Sequence, residues 1–288
     1  MRVASFRAGN ETSWGVVSAE RITDARALAG APARVRDLLV SADPSGWLRR
    51  AADASARPLS EVKLVAPVAP RQDFIALGLN YKAHVGDSGV AAGQPTPPDQ
   101  PILFGKAASS VIGPDDEIRF TRAVTKEVDW EVELAVIIGR AGRNISRGAA
   151  VDHIFGYTVA NDVTARDLQF LDGKQWYRGK SLDTFCPLGP WIVTADELAD
   201  GRGLRLRLRV NGVTKQDANS DELLFSVPEI VASASAGRTL LPGDVILTGT
   251  PAGVGFTRTP PEYLRDGDVV EAEIDRIGVL RNQVRVIQ

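Results

Sequence analysis

This chain is short of cysteine, of long apolar runs and of any excess of charge, and each shortage removes a class of explanation. One cysteine, Cys186, occurs in 288 residues, so no intrachain disulfide can form and no zinc knuckle can be built on thiolates. A lone thiol fits a reducing compartment. No stretch approaches the roughly 20 apolar residues that a bilayer span needs, and the opening MRVASFRAGN lacks the apolar stretch of a signal peptide. Lys and Arg number 34 against 36 Asp and Glu, a net charge of −2. Without blocks of like charge, nothing recruits a phosphate backbone or an anionic membrane. The expectation is a soluble, cytoplasmic protein with no nucleic-acid or membrane partner.

What is present is ample apolar material, 44 % of residues, enough for one large domain or a large domain with a small companion. Residues 1–68 read as the companion, a small N-terminal α+β domain. VASF and WGVVS are short strands joined by the polar turn RAGNET, and helical segments follow between Val35 and Ala54 with Pro44 and Gly46 as breakers. APVAP at 66–70 reads as a linker, and residues 69–288 as a metal-dependent catalytic domain. FIALGL (74–79), ELAVIIG (133–139), IFGYTVA (154–160), the alternating LRLRLRV (204–210), DVILTGT (244–250) and VVEAEI (269–274) are strand candidates. SVPEIVASASAG (226–237) has helical spacing behind a Ser N-cap. Many short strands with few helices predict a mixed, mostly β fold, a β-sandwich roll or a barrel-like form.

The most informative stretch is DWEVELAVIIG. Glu131 and Glu133 lie two apart on a strand candidate and share a face. Neighbouring carboxylates in an apolar strand repel unless a cation lies between them. Asp129 extends the alternation, and Asp162 follows a further strand candidate in ANDVTARD. Three oxygen donors suit a hard cation, Mg²⁺ or Mn²⁺, and Ca²⁺ would share the ligands in a crystal. A solvated strand face is the alternative. His84, in GLNYKAHVGD, stands three residues before Asp87, near enough on a helical turn for a His–Asp dyad that activates water, or for a histidine capped by an ordinary acid. His153 and Cys186 read as structural. Lys180 and Lys106 are candidates to balance the carboxylates or bind a substrate anion. TGTPAGVG (248–255) lacks the spacing of a P-loop or dinucleotide fingerprint, but its backbone N–H groups suit an anion.

GLNYKAHVGD, LFGKAASS, DWEVELAVIIGR, ANDVTARDLQ, QWYRGKSLDTFCPLGPW, VNGVTKQDANS, LPGDVILTGTPAGVG and LRDGDVVEAEI occur in an order that resembles the fumarylacetoacetate hydrolase family. The chain is most similar to its acylpyruvase and hydroxyheptadienedioate isomerase-like group. The resemblance implies a mixed β-sandwich roll, usually in a homodimer, with Glu131, Glu133 and Asp162 as metal ligands and Lys180 beside them. It implies His84 as the histidine that activates water, with Asp87 in place of the usual Glu. Gln169 and Thr250 match positions at substrate or the metal shell. Tyr81, Gly249 and Lys106 complete the candidate substrate contacts.

The expected activity is divalent-metal-dependent hydrolysis of a C–C bond in an acylpyruvate or other 2,4-diketo acid, with His84 and Asp87 activating water. The alternative is decarboxylation of oxaloacetate-like acids or enol–keto isomerisation at the same site, for which the shorter Asp87 argues. A non-catalytic metabolite-binding module is the rival from another class.

Overall fold

The computed structural model describes residues 1–86, 96–172 and 174–288. Two sheets dominate these residues. The larger runs Ala56–Pro58, Arg21–Thr23, Glu11–Ser18, Arg2–Ala8, Cys186–Thr194, Ile154–Asn161, Val132–Ile138, Val245–Leu247, Phe74–Gly78, Ile102–Lys106. The smaller runs Val213–Asn219, Arg205–Val210, Val269–Ile274, Gly278–Ile287, Glu117–Thr121. The sheets pack as a mostly β sandwich, and among the described residues neither closes into a barrel.

Val132–Ile138 shows why the sheets stack. All seven of its residues are buried, as expected of a central strand covered on both faces. Leu134, Val136 and Ile138 join Leu206, Leu208, Val270, Ala272 and Ile274 in the inter-sheet core. Ala135 and Ile137 face the other way, into a cluster with Trp14, Leu38, Leu48 and Phe74. By alternation Glu131 and Glu133 share that second face, at the end of the strand. Arg205–Val210 follows the expected alternation, apolar side inward and arginines outward.

The N-terminal strand Arg2–Ala8 pairs with Cys186–Thr194 through Arg2↔Val193 and Val3↔Ile192, so the first strands extend the large sheet. Pro44 and Gly46 do not break structure. Asp43 caps the helix Pro44–Ala52, accepting from the Gly46 N–H at 2.8 Å, and Pro44 occupies the first turn, where its missing N–H costs nothing. The helix Val227–Ser235 starts behind Ser226 in a capping box with Glu229. No described helix is long and apolar enough to cross a membrane.

Candidate metal centre and pocket

Three acids meet where two neighbouring strands end. Glu131 precedes Val132–Ile138, Glu133 lies on it, and Asp162 follows Ile154–Asn161. The two strands pair antiparallel through Val132↔Asn161 and Glu133↔Ala160, which sets the acids side by side. The Asp162 N–H donates to the Glu131 carbonyl at 2.8 Å and fixes the turn. One carboxylate oxygen from each acid lies within 4.8 Å of the others, and all three residues are buried.

Three cations surround them. Lys180 Nζ donates to Glu131 Oε2 at 2.8 Å, Asp162 Oδ2 at 2.6 Å and Thr164 Oγ1 at 3.0 Å. Lys106 Nζ stands 2.8 Å from Asp162 Oδ1 and donates to the Val163 carbonyl at 3.1 Å and to the Lys180 carbonyl. Arg166 spans Glu131 Oε1 at 2.7 Å and Asp129 Oδ2 at 2.8 Å, and donates to Gln169 Oε1 at 2.9 Å. Asp129, Glu131, Glu133 and Asp162 therefore face Lys106, Lys180 and Arg166, and one negative charge is left over.

That charge falls on Glu133. Its Oε2 accepts from the Gly249 N–H at 2.7 Å, while its buried Oε1 has no hydrogen-bond partner among the described residues. Burial, then repulsion from Asp162 and Glu131, pushes its carboxyl well above the usual range. Glu131 is held down to about 2; burial opposes this, but Lys180 and Arg166 outweigh it. A buried orphan carboxylate oxygen is costly. An all-oxygen donor set with an unbalanced negative charge fits a hard divalent cation, held by Glu131, Glu133 and Asp162. With a 2+ ion the cluster becomes net positive, which suits an anionic ligand.

Of the three acids, Glu131 reaches an open pocket. Glu131, Lys180, Arg166, Gln169, Thr250 and His84 line it. Burial lowers the His84 pKa to about 4, with Glu131 opposing and Arg166 and Lys180 reinforcing the shift, so the imidazole is neutral at pH 7. Asp87, its expected partner, lies outside the described residues. Five residues before His84, Leu79 holds φ +56°, a conformation that costs a non-glycine residue about 1 kcal/mol or more.

Several expected substrate contacts take other positions. Lys106 is fully buried behind Asp162 and spends its donors on the protein. Gly249 gives its N–H to Glu133; at φ +95° a Cβ there would lie 2.8 Å from Asn80 Cβ, so glycine is required. The 248–255 loop does bind anions, but they are the protein's own: Gly255 N–H donates to Asp129 Oδ1 at 2.6 Å. Thr250 lines the pocket and also donates to the Val132 carbonyl at 3.0 Å. Tyr81 is buried, its hydroxyl without a hydrogen-bond partner among the described residues. His153 Nδ1 lies 3.0 Å from the Arg140 carbonyl, away from the site. Cys186 is buried, which lifts its thiol to about 12.

Two residues were missed. Arg166 is the only cation in the cluster that joins Asp129 to Glu131, and its position four after Asp162 was the available signal. Asn80 locks the turn, accepting from the Phe225 N–H at 2.8 Å and donating to the Thr248 carbonyl at 2.8 Å; nothing in sequence links those segments.

Three buried acids meeting beside an open pocket form a donor set that could hold a metal ion. The family model described as fumarylacetoacetate (FAA) hydrolase C-terminal matches residues 73–285. The chain belongs to the fumarylacetoacetate hydrolase family. It is 45 % identical over 257 residues to a mitochondrial oxaloacetate tautomerase of Xenopus laevis, covering 88 % of this chain and 79 % of that one. A fumarylacetoacetate hydrolase from Exiguobacterium antarcticum superposes with TM-score 0.86 at 38 % identity, over 100 % of both chains. A 2-hydroxyhepta-2,4-diene-1,7-dioate isomerase from Mycobacterium marinum does so with TM-score 0.79 at 36 % identity, over 99 % of this chain and 98 % of that one.

Proposed function

We propose that the chain is a Mg²⁺- or Mn²⁺-dependent enol–keto tautomerase of a small 2-oxo acid of the oxaloacetate type. The observation that carries the reading is the convergence of Glu131, Glu133 and Asp162, with the orphan Glu133 oxygen, beneath a pocket that also holds a neutral histidine. A relative named an oxaloacetate tautomerase at 45 % identity supports isomerisation over C–C hydrolysis, which the sequence ranked first.

Glu131, Glu133 and Asp162 would hold a divalent cation, which would supply Lewis-acid polarisation of a 2-oxo acid. The neutral imidazole of His84 takes the proton from the carbon next to the keto group and returns a proton there in the reverse direction. The imidazolium so formed gives that proton to the enolate oxygen, and the reverse direction carries it back from oxygen to carbon, so no atom enters or leaves and His84 ends neutral. Lys180 and Arg166 hold Glu131 ionised and in place, and with a divalent cation bound they would leave the cluster net positive beneath the anionic substrate.

The test is to add enol-oxaloacetate, and in a parallel arm acetylpyruvate, to chelator-stripped protein with and without Mg²⁺ or Mn²⁺, following enol loss, CO₂ and acid products together. Metal-dependent enol loss without CO₂ is expected. CO₂ release would make it a decarboxylase, two acids from an acylpyruvate would restore hydrolysis, and activity indifferent to metal would overturn all three.

A further inference from the structure

The pocket has a polar floor and an aromatic rim. Leu77, Gly78, Phe104 and Trp176 line it on the strand side, and Phe170 and Phe256 stand together with centroids 5.3 Å apart. Trp176 meets Phe104 edge to face, centroids 5.2 Å apart at 75°. It also covers Gly78 so closely that a Cβ there would lie 2.3 Å from the indole.

Trp176 and Lys180 open and close the same helix, Trp176–Lys180. Residues four apart share a face, so the indole and the ammonium on the carboxylates leave the helix on the same side, about one turn apart along its axis. The helix is pinned along its length. Gly179 packs on Gln169, where a Cβ would lie 2.6 Å from its side chain. Tyr177 donates its hydroxyl to Asp73 at 3.0 Å.

We propose that Trp176 is the specificity-determining residue of this pocket: seated on Gly78 and Phe104, it closes the wall beyond the metal carboxylates and restricts the site to 2-oxo acids with a short arm. The inference rests on the 2-oxo acid chemistry proposed above. Wild type then accepts oxaloacetate and excludes an acid whose arm ends in a ring. Shortening Trp176 admits the ring.

The experiment compares oxaloacetate with phenylpyruvate in wild type, Trp176→Ala and Trp176→Leu, by kcat/KM for tautomerisation and by calorimetric binding to Mn²⁺-loaded protein. The oxaloacetate-to-phenylpyruvate preference should fall about tenfold or more in either variant, chiefly through the KM for phenylpyruvate. Gly78→Ala should shift the preference in wild type but not in Trp176→Ala, where no ring meets the new methyl. A purely structural tryptophan would slow both substrates alike; an unchanged preference in folded variants overturns the proposal. If wild type turns over neither acid, the tautomerase reading fails, and the binding preference still decides the role of Trp176.

Discussion

The molecule carries two networks of paired acids and bases, built from similar residues in opposite surroundings. On the outer face of the small sheet, Arg205 meets Asp217 at 2.5 Å, Arg207 meets Glu273 at 3.0 Å, and Arg209 meets Glu271 at 3.2 Å and Glu273 at 2.7 Å. Two of these pairs follow strand register, Arg207 opposite Glu273 and Arg209 opposite Glu271, and the other two are diagonal; water reaches them all. Every charge there has a partner. At the pocket the same kinds of side chain are buried, and one carboxylate oxygen is left over. In water such a surplus would be trivial; in the interior it is expensive unless something binds it. The contrast locates function where the pairing is incomplete.

Breaking the buried network should have the largest effect. Asp162→Asn removes a ligand and the shared partner of both lysines, and turnover should fall by about 10²-fold or more, read as kcat/KM at saturating metal. Lys180→Met takes one of two cations from Glu131 and from Asp162 and leaves four buried acids facing Arg166 and Lys106 alone, and the metal-free protein should lose about 3–5 kcal/mol in urea unfolding.

His84 sharpens the comparison through pH. Its folded pKa, lowered to about 4, lies below the unfolded value near 6.5. The unfolded chain therefore takes up a proton first as pH falls. The associated stability is complete above pH about 6.5 and is lost progressively down to about 4, by about 3 kcal/mol in all. Urea stability of metal-free wild type against His84→Gln across that window should show a shallower acid slope in the variant. The smallest effect is expected on the outer face: Arg207→Ala should cost about 1 kcal/mol or less and leave turnover unchanged. A large loss there would erase the distinction between the networks.

Sequence made much of this legible where pattern and geometry are local. Two-residue spacing placed Glu131 and Glu133 on one face, and alternation in LRLRLRV separated core leucines from surface arginines. Pro44 and Gly46 misled because a proline that breaks a helix interior begins one equally well, and only Asp43 decides which. For Lys106, read as balancing the carboxylates or binding a substrate anion, and for Gly249, read as a substrate contact, sequence shows a donor and not what already occupies it. Trp176 stood in a quoted motif, yet its seat on Gly78 joins segments about a hundred residues apart.

The central claim is tested most directly by titrating Mn²⁺ into chelator-stripped wild type and into Glu133→Gln, calorimetrically. One ion per chain in wild type and binding weakened by about 10²-fold or more in the variant is the predicted result. Equal binding in the two proteins, or none in wild type, would contradict a cation held by Glu131, Glu133 and Asp162.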